Sequence, residues 1–121
     1  MIAADSAVAR ALERGGVIDV TTTGRKSGEA RRIELVFHNV DGRILISGRP
    51  GHPRGWVANL AADPNLTFHL KRDVVADLPA HGRVVTDRGE RERMLAPIAR
   101  LWRMDLGVMV ASAPLVEVTF D

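Results

Sequence analysis

The residues best suited to chemistry in this chain are six basic side chains at two closely spaced turns. Arg25 and Lys26 lie inside Thr21-Thr22-Thr23-Gly24-Arg25-Lys26-Ser27-Gly28, Arg31 and Arg32 follow, and Arg49 and Arg54 flank the second turn. The planar fork of arginine matches carboxylate and phosphate oxygens two at a time. The N–H groups of Gly24, Ser27 and Gly28 could add backbone donors, and a helix opening at Pro53 adds its N-terminus. Phosphate or a polycarboxylate suits such a set. A solvated loop with interspersed charge has the same spacing, so the sequence leaves both readings open.

Other chemistry has weaker support. His38, His52, His69 and His81 are isolated from one another, so no metal site is expected. His38 and His69 each lie near a strand end and read as rim or surface positions. Ser27 lacks the GxSxG elbow of a nucleophile. The TGRKSG stretch lacks P-loop spacing and has no helix after it. Trp56 and Leu60 are one helical turn apart, and so read first as core, with stacking on a planar ligand as the sharper alternative. Met94 and Trp102 invite the same pair of readings. A net charge of +2 and only five aromatic residues weigh against nucleic acid as a partner.

The elements that must position these residues are short. A length of 121 residues fits one domain over 1–121, and 45% apolar composition can fill a core. Of 17 basic residues all but Lys26 and Lys71 are arginine. With no cysteine, disulfides and thiol catalysis are excluded. Asp5, Arg10, Glu13 and Arg14 break up the start of the chain, unlike a signal peptide, and no apolar run nears the ~20 residues of a membrane span. A cytoplasmic protein is the default expectation.

Within 1–16 a helix is expected over 5–14, begun by Asp5 or Ser6 and ended by Gly15-Gly16. Its thin stripe of Val8 and Leu12 predicts weak docking or movement. Strands follow at 17–23, 32–39 and 44–47, the last two joined by an Asp41-Gly42 turn. On 32–39, Ile33, Leu35 and Phe37 alternate with Arg32, Glu34 and His38. Pairing of these strands would bring all six cations to one end of a sheet. His52-Pro53 opens a helix and Asp63-Pro64 closes it. Further strands are expected at 66–70, 74–78, 82–86 and 115–120, with Pro79 at a break or bend. Asp87 and Glu90 form a capping-box pattern ahead of a helix that Pro97 should kink. Short antiparallel strands with a few short helices indicate a mainly β (α+β) fold, a small closed or split β-barrel.

Three blocks in order, TTTGRKSG, LVFHNVDGRILISGRPG and HP…W..NLAADPNLTFHLK, resemble the deazaflavin-dependent nitroreductases of the split β-barrel flavin/deazaflavin oxidoreductase superfamily. The resemblance spans roughly residues 17–103. It implies a split β-barrel, a homodimer, and coenzyme F-420, which joins a tricyclic deazaflavin to a phosphate and a polyglutamate tail. Carried over by motif, Arg25, Lys26, Ser27, Gly28 and Arg31 would contact phosphate or tail. Ser47, Gly48, Arg49, Pro50 and Gly51 would approach the deazaflavin through backbone groups, while Trp56 and Asn59 shape the pocket.

The implied activity is hydride transfer to an electron-poor small molecule such as a quinone, nitro compound or enone. An FMN-binding flavin reductase or oxidase of the same fold is the alternative, as is a non-catalytic coenzyme- or lipid-binding protein. The family commonly has Trp-Tyr where this chain has Trp56-Val57, and the chain contains no tyrosine. No tyrosine hydroxyl can therefore donate a proton. His38, His52 or water remains as the source, and the catalytic residue is unassigned. The expected partners are the small-molecule substrate and a second copy of the chain; no nucleic acid is expected, and membrane-surface contact is not indicated.

Overall fold

A computed structural model describes residues 6–51 and 54–121. Asp5, His52 and Pro53, named above as helix starts or a proton source, lie outside the described residues. Among those described, the elements are α1 (Ser6–Arg14), β1 (Gly16–Thr23), β2 (Ala30–Val40), β3 (Arg43–Ser47), α2 (Gly55–Ala62), β4 (Asn65–Lys71), β5 (Val75–Val84), α3 (Arg88–Trp102), α4 (Leu106–Ser112) and β6 (Leu115–Phe120). The strands close a barrel in the order β1-β2-β3-β6-β5-β4, every neighbouring pair antiparallel. No described helix is long and apolar enough to cross a membrane.

Side-chain alternation sets the register. Ile18, Val20 and Thr22 of β1 point inward, as does Phe37 of β2. A one-residue slip would bring Asp19 and Glu34, which face each other across β1 and β2, into the interior. Phe37 and Phe68 meet edge to face with centroids 5.1 Å apart, a geometry worth about 0.5–1.5 kcal/mol beyond burial. Asp41 and Gly42 have φ of 53° and 85°, which suits the tight turn from β2 to β3.

Two cores result. One fills the barrel and extends under α1 and α2. The other lies where Leu45, Val85 and Leu115 meet Leu95, Ile98 and Met109 of α3 and α4. α1 docks on the first core through Val8, Ala11 and Leu12, and Asn39 donates to the Leu12 carbonyl at 3.1 Å. Gly82 lets α2 lie close to β5, since a Cβ there would come within 3.1 Å of Leu60 and 2.9 Å of Leu66.

Of the two readings open for 74–86, two short strands or one strand bent at Pro79, the single strand is observed as β5, with Pro79 inside. β6 pairs only from Ala80 onward, so the missing Pro79 N–H falls at the margin of that ladder. α3 continues through Pro97 to Trp102. Asp87 caps it by accepting from the Glu90 N–H at 2.9 Å, but the Glu90 carboxylate turns to Arg83, so the capping box is one-sided. The short α4 was not anticipated; Asp105 caps it through the Val108 N–H at 2.9 Å.

Candidate functional site

β1 and β2 pair as far as Thr23 and Ala30, leaving 24–29 as a compact turn. Gly24 N–H donates to Glu29 O and Gly28 N–H to Gly24 O, both at 2.8 Å, and Ser27 Oγ accepts from Glu29 N–H at 3.1 Å. The glycine N–H groups are thus spent inside the turn, contrary to the expectation that they face a ligand. The side chains form the site instead. Arg25, Lys26, Ser27 and Arg31 line a hollow of about 220 Å³ with Gly24 and Asn59. Among the described residues no carboxylate lines it. An exposed ion pair of Arg31 with Glu29 at 3.5 Å holds Arg31 only weakly.

Asn59 organises this turn from α2. Its Oδ1 accepts from the Arg25 N–H at 3.1 Å and from Arg25 Nη1 at 2.9 Å, while its Nδ2 donates to Thr22 Oγ1 at 3.2 Å. Arg25 Nη1 also reaches Gly55 O at 3.4 Å. Asn59 is buried and its amide is committed to protein on both sides. Its direct work is to aim Arg25.

A larger hollow of about 420 Å³ is lined in part by Trp56 of α2. Ser47, Gly48, Arg49 and Arg54 line it, with Glu34, Leu35 and Val36 of β2 and the rings of Trp56 and Trp102. Met104 completes it. The size lies within the roughly 300–1,000 Å³ of small-molecule pockets. Arg54 Nη2 donates to Arg49 O at 2.7 Å, closing the loop on itself. Ser47 Oγ donates to Pro114 O at 2.6 Å and is buried, so Ser47 offers the hollow its backbone. Pro50 and Gly51 continue the loop, and Gly51 turns away, donating to Ser112 O at 3.4 Å.

The six cations do not converge. Arg25, Lys26 and Arg31 serve the small hollow, Arg49 and Arg54 the larger one. Arg32 serves neither. The β alternation places it beside Asp19, whose Oδ2 accepts from Arg32 Nε at 3.0 Å. Lys71 joins Asp19 and Glu34 at 2.6 and 2.5 Å. The hydrogen bonds of Lys71 and then Arg32 lower the Asp19 pKa.

Both histidines expected at the rim are buried. His69 bonds Thr21 Oγ1 and Asp77 Oδ1, each at 2.7 Å. His38 Nε2 has no hydrogen-bond partner among the described residues, its ring packs edge-on to Trp102 at 5.2 Å, and burial lowers its pKa. His38 lines a neighbouring hollow that shares Val36 and Trp102 with the larger one. Trp56 is buried core and pocket wall at once. Trp102, read from the sequence as core or as a stacking ring, lines the larger hollow from the end of α3, and Met104, which sequence reasoning does not single out, follows just after the left-handed Arg103.

A family model described as F-420H(2)-dependent quinone reductase matches residues 2–105. Among solved structures, the chain is similar to a Listeria innocua protein described as a pyridoxamine 5'-phosphate oxidase, at 12% identity and a TM-score of 0.71, covering 96% of this chain and 92% of that one. It is also similar to an F-420-H2 dependent reductase at 22% identity, with a TM-score of 0.62 over 86% of this chain and 94% of the other. A third structure, described as a domain-swapped dimer, is 23% identical with a TM-score of 0.60 over 94% and 95%. These likenesses establish the split β-barrel fold.

Proposed function

The chain belongs to the F-420H(2)-dependent quinone reductase family, so it is an oxidoreductase that uses coenzyme F-420, and we propose that its acceptor is an electron-poor small molecule such as a quinone, nitro compound or enone. The observation that carries this reading is the presence of two unlike hollows that both take a residue from α2, Asn59 in one and Trp56 in the other. One is cationic, with no carboxylate among the described residues that line it; the other is larger and walled by two tryptophans.

The donor set fits the coenzyme's chemistry. Arg25, Lys26 and Arg31, with Ser27 and Gly28 completing the turn, hold the phosphate and polyglutamate tail. Asn59 fixes Arg25 before binding, which reduces the ordering cost of association. Ser47, Gly48 and Arg49 line the larger hollow with main-chain groups, and Pro50 and Gly51 carry the loop on toward Ser112. Trp56, Trp102, Leu35, Val36 and Met104 give it apolar walls that exclude water and orient the acceptor. The bound reduced coenzyme supplies a hydride, which with one proton converts a quinone to its hydroquinone. Burial lowers the His38 pKa, which disfavours it as the acid and leaves His52 or water as the proton source.

The same reading takes residues 1–121 as one domain, supported by β6 closing the barrel between β3 and β5. A homodimer is part of it, supported by the domain-swapped neighbour. The test is oxidation of reduced F-420, followed by absorbance, with quinones, nitro compounds and enones offered in turn. Turnover with one class identifies the acceptor. Tight coenzyme binding without turnover on any acceptor returns the chain to the carrier reading.

A further inference from the structure

We propose that Arg91, which lines neither hollow of the site, is a positioning residue for the coenzyme-facing loop 47–51. This rests on the coenzyme contact proposed above for that loop. Arg91 lies in the first turn of α3, and its guanidinium gathers main-chain carbonyls from three segments. Nε donates to Val110 O at 2.8 Å, Nη1 to Val85 O at 3.0 Å, and Nη2 to Met109 O at 3.1 Å and Ala113 O at 2.6 Å. Four of its five N–H groups are thereby used. Three of the carbonyls belong to the end of α4 and its cap: Val110 O and Ala113 O lie where a helix runs out of donors, while Met109 O also accepts from the Ala113 N–H at 2.9 Å. The fourth closes a loop of contacts, because Val85 N–H donates to Leu115 O at 3.0 Å.

Arg91 therefore fixes the connector from α4 into β6, and that connector supports the loop. Pro114 O accepts from Ser47 Oγ at 2.6 Å, Ser112 O accepts from Gly51 N–H at 3.4 Å, and a Cβ on Gly48 would stand 3.3 Å from the Pro114 ring. Loop 47–51 thus leans on residues 112–114 at three of its five positions. The position of the connector depends on one planar fork, and a lysine cannot reach four separated carbonyls from a single ammonium.

The experiment compares wild type, Arg91→Lys and Leu70→Val as full chains. Leu70 is a buried β4 residue of the other core, whose trimming lowers stability away from the connector. Two readings are taken: F-420 affinity by fluorescence titration, and amide hydrogen exchange without coenzyme. Arg91→Lys is expected to weaken F-420 by about 2- to 30-fold, the range for residues that act on a site without touching ligand. The Gly51 and Ala113 amides should lose protection together. Leu70→Val should lower Tm and leave both readings at wild-type values. An Arg91→Lys protein with wild-type affinity and wild-type Gly51 exchange overturns the proposal. Should Arg91→Lys fail to fold, wild-type exchange decides: Gly51 opening together with Ala113 supports the proposal, and independent opening overturns it. Failure of wild type to bind F-420 sinks the coenzyme reading instead, and the exchange coupling is still readable.

Discussion

The two hollows of the site are built in opposite ways. The cationic one comes from the turn between β1 and β2 and from Arg31 just beyond it on β2, with Asn59 supplied by α2. The aromatic one takes Leu35 and Val36 from β2, Gly48 and Arg49 from a loop, Trp56 from α2, and Trp102 and Met104 from the end of α3 and beyond. A local turn can be specified by a few adjacent residues. A cavity spread over four segments exists only once the barrel has closed and both cores have packed. The charged half therefore depends on side-chain identity, and the aromatic half on the fold.

That contrast can be broken or sharpened by substitution. Arg25→Ala should have the largest effect, weakening F-420 by about 10- to 150-fold, the equivalent of one charge-assisted contact, with the acceptor KM unchanged. Asn59→Ala leaves the Arg25 N–H and the Thr22 hydroxyl without their partner. It should cost about 1–3 kcal/mol in urea unfolding, with a smaller loss of affinity than Arg25→Ala. Trp102→Ala should raise the acceptor KM by about 2- to 12-fold, the loss of one aromatic contact, and leave the F-420 Kd alone. If Trp102→Ala weakened F-420 as much as Arg25→Ala does, the division of labour between the hollows would be wrong.

The smallest effect concerns His38. Burial lowers its pKa from 6.5, so the folded chain prefers the neutral ring. Its contribution to stability is complete above pH 6.5. Below that it falls, because the unfolded chain takes the proton first. His38→Leu should flatten the drop of Tm on acidification and leave the kcat profile above pH 6.5 unchanged. A lost basic or acidic limb in that profile would make His38 a proton carrier after all.

The charged half was legible as a cluster of cations, though not as a site. Two cations between two glycines after a threonine run suit an anion-binding turn or a solvated loop alike, and the alternation of Ile33, Leu35 and Phe37 fixes the strand beside it. Arg32 escaped because adjacent strand residues face opposite ways, and Asp19 becomes its neighbour only when β1 and β2 pair. His69 reads as exposed until Thr21 and Asp77 arrive from other strands. Both polar partners are set by register, which local spacing does not carry. α4 is a seven-residue apolar stretch with a glycine at its second position, too short for periodicity to separate it from a strand.

The central claim is that a cationic turn grips the tail of a deazaflavin coenzyme. Its most direct test is a fluorescence titration of the purified chain with F-420 beside FMN, at low and high salt. The account predicts saturable binding of F-420 in preference to FMN, weakened by salt as expected for exposed arginines gripping a polyanion, and weakened again by Arg25→Ala. FMN binding as tightly as F-420, or F-420 affinity indifferent to both salt and Arg25, would contradict it.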